Sequence, residues 1–110
     1  MAEEASPQYT VSISQAELDK LRQWAVWAKE KGLLDDYLVA LKTINFRLAF
    51  EPTEWGEFRY PLDDLKLDIR LGSFKMLDVK YAVHREQRIV FVKQFQFRSD
   101  YAHGQPPAAT

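Results

Sequence analysis

Cysteine and long apolar runs are both absent from this chain of 110 residues. The lack of cysteine excludes a disulfide framework, a thiolate zinc site and catalysis by a cysteine nucleophile. No apolar run approaches the roughly 18 residues of a membrane-spanning helix. The N-terminal sequence MAEEASPQ is acidic and lacks the apolar core of a secretory signal. We therefore expect a cytoplasmic protein without a membrane partner.

A strong charge of either sign is also absent. The formal net charge is −1 and the isoelectric point is about 6.1. Residues 1–55 carry six basic and nine acidic side chains, a net of −3, and residues 56–110 carry nine and seven, a net of +2. Dedicated nucleic-acid-binding domains have isoelectric points above about 9. A nucleic-acid role would therefore need a local basic patch.

Two helices are predicted in the first half of the chain. Ser14 and Glu17 form the S-x-x-E pattern of a capping box, in which each side chain bonds the other residue's backbone N–H. Apolar residues then recur at helical spacing as far as Gly32, which suits the end of a helix. A second helix is expected over Leu34–Phe50, because Pro52 follows it. Their short connection predicts an antiparallel helical hairpin.

Strands are predicted before and after this hairpin in the sequence. Residues 9–13 alternate and are β-branched, which indicates a short strand. Residues 65–97 contain three alternating segments, LKLDIRL, FKMLDVKYAV and RIVFVKQFQF, joined by turns. Residues 52–64 are interpreted as a long connection. The fold class expected is α+β, with a strand and a helical hairpin packed on an antiparallel meander.

Alternation also predicts which side chains share a face of the sheet. The apolar face of the segment 75–83 is expected to lie against the helices. The last strand is expected to place four apolar side chains on one face, interrupted by Lys93, and two valines on the other. The four are Ile89, Phe91, Phe95 and Phe97, and the valines are Val90 and Val92.

A single domain is expected over residues 9–101. The polar lead, residues 1–8, and the small, proline-rich tail, residues 102–110, are both predicted to be flexible.

The pattern of these elements resembles the RelE/ParE toxin superfamily. Members have a strand ending in arginine before a glycine turn, then an [LV]-x-Y-x-V strand and an I-V-V-type strand. This chain has Leu67–Leu71, Gly72, Val79–Val83 and Ile89–Val92 in the same order. The helix LVALKTINFRLAFEP also resembles the second helix of the family. The resemblance covers about residues 9–100 and implies a RelE/ParE-like fold.

The resemblance implies two kinds of activity. RelE-type members cleave mRNA on the ribosome without a metal, through cations and often a C-terminal tyrosine that stabilise a charged transition state. ParE-type members inhibit DNA gyrase by contact. Both kinds are usually held by an antitoxin that covers the sheet. The residues implied for a nuclease site here are Arg70, Lys75, Arg98 and Tyr101.

One position favours contact over catalysis. Aligned on Tyr81, the arginine of nucleolytic members is replaced by Asp78, whose carboxylate would repel phosphate. We therefore expect a divergent toxin-like protein that acts by protein–protein contact, with an antitoxin or another protein as its partner. The alternatives are an mRNA endonuclease, with the ribosome and RNA as partners, and a homodimeric structural domain without toxin activity.

Two further groups of side chains have both a functional and a structural interpretation. The candidate partner-binding aromatics could instead fill the core; they are Trp24, Trp27, Phe95 and Phe97. The basic residues of the sheet could bind phosphate, or could lie on a solvated face with the cross-strand pairs Lys66–Asp68 and Asp78–Lys80; they are Lys66, Arg70, Lys80 and Arg98.

Neither histidine has a carboxylate at a spacing that indicates catalysis. His84 lies in a predicted turn and His103 in the predicted tail. The pairs Asp35–Asp36 and Asp63–Asp64 are adjacent in sequence, and adjacent side chains on a helix do not face each other. No metal and no cofactor is expected.

Overall fold

A five-stranded sheet with helices on one face forms the body of the protein. The computed structural model describes residues 8–98 and residue 106. The predicted lead and tail lie almost entirely outside these residues. The elements, in chain order, are β1 Thr10–Ser12, α1 Gln15–Glu30, α2 Leu34–Phe50, α3 Pro52–Trp55, β2 Glu57–Leu62, a 3₁₀ turn Asp63–Leu65, β3 Leu67–Phe74, β4 Leu77–His84 and β5 Ile89–Phe97.

The strand order across the sheet is β1-β5-β4-β3-β2. Four strands form an antiparallel meander, and β1 joins its far edge parallel to β5, with Thr10 beside Ile89. This arrangement confirms the α+β class. No helix among the described residues is long and apolar enough to cross a membrane.

The helices begin and end where the sequence predicts, but one arm of the capping box differs. The Ser14 hydroxyl accepts the Glu17 N–H at 3.2 Å, as expected. The Glu17 carboxylate instead accepts the Phe95 N–H of β5 at 2.7 Å. Lys20, which pairs with Glu17 at 2.9 Å, donates to the Phe95 carbonyl at 2.7 Å. We call these three residues the α1–β5 clamp.

The prediction of a long connection over residues 52–64 is wrong, because these residues form α3 and β2 and begin the 3₁₀ turn. Pro52 stands at the first position of α3, where a missing N–H costs no helical hydrogen bond. β2 follows and pairs with β3 as an edge strand, a place where Pro61 is tolerated. All but one of its residues are exposed, so β2 has no apolar alternation that would reveal it.

The predicted face assignment of β5 is wrong, because a β-bulge changes its phase. Tyr81 pairs with Val92, but Lys80 pairs with Gln94, so Lys93 is an extra residue. Val92 before the bulge and Phe95 after it therefore lie on the same, helical face of the sheet, although simple alternation would place them on opposite faces. Those on the helical face are Val90, Val92, Phe95 and Phe97, whereas Ile89 and Phe91 lie on the other face.

β3 also turns its leucines away from the helices. Residues paired across antiparallel strands share a face. Arg70 pairs with Tyr81, which lies in the core beneath the helices, whereas Leu71 pairs with the exposed side of β4 at Lys80. The apolar alternation of β3 therefore marks the face opposite the helices. The segment Leu77–Val83 of β4 faces the helices, as predicted.

Tyr37 ties the two long helices together inside the core. Its side chain is fully buried, and its hydroxyl donates to the Leu21 carbonyl of α1 at 2.8 Å. Burial raises the pKa of the Tyr37 hydroxyl well above its ordinary value. The folded protein therefore holds this proton in alkaline solution.

Replacing Tyr37 should change how stability depends on pH. Above about pH 10 the unfolded chain loses the tyrosine proton and the folded chain keeps it, so the free energy of unfolding falls as the pH rises. In Tyr37→Phe this fall should be shallower, while the lost hydrogen bond costs about 1 kcal/mol at neutral pH. Urea denaturation near pH 8 and near pH 11 measures both effects.

The matched control is Tyr60→Phe, which removes a hydroxyl from an exposed ring. Because Tyr37 is intact in this variant, the alkaline fall in the free energy of unfolding should remain. Equal alkaline slopes for Tyr37→Phe and the parent would contradict the assignment.

Candidate interaction face of the sheet

The face of the sheet opposite the helices carries a row of mostly apolar side chains. The row crosses all five strands through paired positions. The helices and the core that they cover lie on the other side. We call this surface the open face. The row consists of Tyr60, Ile69, Ala82, Phe91 and Ser12.

Two residues of the open face are buried although no described helix packs on it. Ile69 is 1% exposed and Ala82 is 0% exposed. Larger neighbours cover them and are exposed in turn: Tyr60 by 44%, Leu71 by 37% and Phe91 by 36%. A cluster of large, exposed apolar side chains is typical of an interaction surface.

Polar groups surround this apolar cluster. The Lys80 ammonium lies 5.7 Å from the centre of the Tyr60 ring, within range of a cation–π contact. Asp78 accepts a hydrogen bond from Ser73. An apolar centre with a polar rim is the usual composition of a protein–protein contact surface.

The short helix α3 is held to the sheet by Tyr81. The Tyr81 hydroxyl donates to the Pro52 carbonyl at 2.6 Å and accepts the Gly56 N–H at 3.0 Å. The Trp55 ring stacks on Tyr81 with 6.0 Å between ring centres. Burial raises the pKa of Tyr81, and the neighbouring Arg70 cation partly opposes this effect. We call this group the Tyr81 pin.

Arg70, one of the predicted catalytic residues, belongs to the Tyr81 pin. Its guanidinium donates to the Gly56 carbonyl, and its Nε is buried without a hydrogen-bond partner. It lies on the helical side of the sheet, away from Asp78 and Lys80. Its surroundings therefore indicate a structural role, in which the guanidinium binds the backbone at the end of α3.

Two of the other predicted catalytic residues, Lys75 and Arg98, meet at the turn between β3 and β4. Lys75 adopts a left-handed conformation there, and its Nζ is 4.0 Å from the Asp36 carboxylate. Arg98 donates to the Lys75 carbonyl at 3.4 Å. Lys75 follows Arg70 by five positions, which is roughly 16 Å along an extended strand. The structure therefore brings Lys75 and Arg98 together but not Arg70, and Tyr101 lies outside the described residues.

The predicted partner-binding aromatics pack in the core or against it. Phe97 makes edge-to-face contacts with Trp24 at 5.8 Å and with Trp27 at 5.3 Å. Trp24, Phe95 and Phe97 are buried, and Trp27 is half-buried. The first three leave almost no surface for a partner. The structure supports the core interpretation for them, and β5 lies between β1 and β4 rather than at an edge.

Several other surface residues make only local contacts. The His84 ring nitrogen accepts the N–H groups of Glu86 and Gln87 at 3.1 Å, so it stabilises its own turn. Lys66 pairs with Glu86 at 3.1 Å and Asp68 with Arg85 at 3.3 Å, rather than with each other as predicted. Within the described residues, no cluster of three His, Cys, Asp or Glu side chains could hold a metal. His103 lies outside those residues.

Sequence reasoning did not select the residues of the open face. Leu71 and Phe91 belong to segments of alternating apolar residues, but alternation does not show which face of the sheet the helices cover. The register of β3 on β4 and the bulge at Lys93 decide it.

Comparison with known proteins found no matching family model, no matching curated protein and no matching solved structure. Function is therefore inferred from the residues and geometry of this chain.

Gly72 provides a test of the Tyr81 pin. A Cβ at Gly72 would lie 2.4 Å from the Trp55 ring, which packs against the core. Gly72→Ala should therefore lower the free energy of unfolding by about 1–3 kcal/mol. Urea denaturation of Gly72→Ala, Trp55→Leu and the double variant measures the coupling between the two sites.

The double variant should lose less stability than the sum of the two single variants, because the smaller leucine leaves room for the added methyl group. Strict additivity would show that Trp55 does not pack on Gly72.

Proposed function

We propose that this protein is a divergent RelE/ParE-like toxin-fold protein that acts through protein–protein contacts made by its open face. The described elements follow the order that the family resemblance implies: a strand, a helical hairpin and then a meander. The strand β2 precedes the three expected strands and extends the open face by Tyr60.

The observation that carries this proposal is the cluster of large, exposed apolar side chains on a face that no described helix covers. Tyr60, Leu71 and Phe91 together expose a large apolar surface beside Lys80. Burying such a surface in a complex is favourable by roughly 25 cal/mol for each Å² removed from water. A partner that covers this cluster would gain most from these three side chains.

The arrangement of cations supports contact rather than cleavage. A phosphoryl transition state requires several cations aimed at one point. Arg70 is committed to the Gly56 carbonyl, on the side of the sheet away from Asp78. Lys75 lies near the Asp36 carboxylate. The described part of the chain therefore does not bring the three candidate cations Arg70, Lys75 and Arg98 to one point.

Charged substitutions on the open face test the proposal. Induced expression of the isolated chain should slow growth, and Leu71→Lys or Phe91→Lys should relieve this effect at least tenfold, measured as viable counts. Introducing a charge at the centre of an apolar interface typically costs more than 1.4 kcal/mol, which is tenfold in affinity. Circular dichroism confirms that each variant is folded.

The matched control is Val39→Lys, which replaces an apolar residue of similar exposure, 46%, on α2. It should remain as inhibitory as the parent. Parent expression that leaves growth unaffected would count against toxin function. Light scattering of the same purified chain would then test the homodimer alternative.

The second candidate function is an mRNA endonuclease, and the proximity of Lys75 and Arg98 is the observation that favours it. Tyr101 follows Arg98 by three residues. If the protein acts by contact, Arg98→Ala and Tyr101→Phe should both keep full growth inhibition. Loss of inhibition in both variants, together with loss of mRNA cleavage in a translation extract, would establish the nuclease instead.

A further inference from the structure

A depression of about 380 Å³ lies at the β1–β5 side of the open face. Its size falls within the range of small-molecule sites. Its presence does not depend on the proposed function. The residues around it are Ser12, Ser14, Leu67, Ala82, Phe91, Val92 and Lys93.

Three features of the sheet create the depression. Ala82, at the centre of the row, has only a methyl group, so its larger neighbours Leu67 and Phe91 form walls around it. β1 ends at Ser12, so the sheet has a step where β5 continues. The bulge places the extra residue Lys93 at this step.

The polar groups around the depression favour a negatively charged ligand. Among the described residues, no carboxylate forms an ion pair with Lys93, which is exposed. The nearby acid Glu17 is engaged by Lys20 and the Phe95 N–H. The Ser14 oxygen accepts the Glu17 N–H, so its own proton remains for another acceptor. A cation and hydroxyl groups therefore lie beside an apolar surface.

We propose that this depression binds a small organic anion with an apolar body, such as an arylalkyl carboxylate. The carboxylate lies against Lys93 and the hydroxyl groups of Ser12 and Ser14. The apolar body lies against Leu67 and Phe91, where burial of apolar surface supplies most of the affinity.

Titration of the purified full chain with 4-phenylbutyrate and with its uncharged amide, followed by NMR, tests the site. Both probes should shift the amide resonances of Ser12, Phe91 and Lys93, with dissociation constants in the millimolar range expected of ligands this small. The carboxylate should bind about two- to fivefold more tightly than the amide, as an exposed ion pair allows.

Two variants separate the parts of the site. Lys93→Met keeps the length of the side chain and removes its charge, so the preference for the carboxylate should fall to about one. Lys42→Met makes the same change at an exposed residue of α2 and should keep the preference. Phe91→Ala should weaken both probes alike, because it removes an apolar wall.

An unchanged preference in Lys93→Met would overturn the proposal, as would the absence of shifts at these three residues in the parent. Growth is not part of the measurement, so this result is independent of whether the chain acts as a toxin.

Discussion

The carboxylate of Glu17 accepts the Phe95 N–H and fixes the place where α1 crosses β5. β1 is only three residues long and covers the edge of β5 only as far as Phe91. Beyond that point α1 supplies the partners that a longer strand would supply, with Lys20 on the Phe95 carbonyl. An unpaired sheet edge is a site of aggregation, and here side chains of a helix occupy part of it. The clamp also fixes β5 just after its bulge, where Phe95 and Phe97 turn into the core.

The elements predicted correctly from the sequence are those with local causes. α1 begins at its Ser14 cap, and α2 extends over Leu34–Phe50 because periodicity and a following proline define it. The strands of the meander alternate, and their turns are short. Each of these signals is contained within a few consecutive residues, so no knowledge of the tertiary structure is needed to read them.

The features that the sequence did not reveal depend on pairing between distant residues. β2 is exposed on both faces and contains Pro61, so neither alternation nor composition indicates a strand. A single extra residue at Lys93 reverses the faces of half of β5, which alternation alone cannot detect. Arg70 was predicted at a catalytic site, but its position opposite Tyr81 follows only from the register of β3 on β4. These registers also determine which side chains form the open face.

The parallel pairing of β1 with β5 has a consequence for the synthesis of the chain. Thr10 finds its partner, Ile89, only after 79 further residues have been added. Chains grow from the N-terminus, and contacts between distant segments form slowly because the intervening loop must close. The helical hairpin is made early, whereas β5, which carries Phe95 and Phe97 into the core, is the last of the described elements to be made. A nascent chain therefore holds an uncovered hydrophobic hairpin until β5 has emerged, and the parallel pair that completes the sheet forms only after that point.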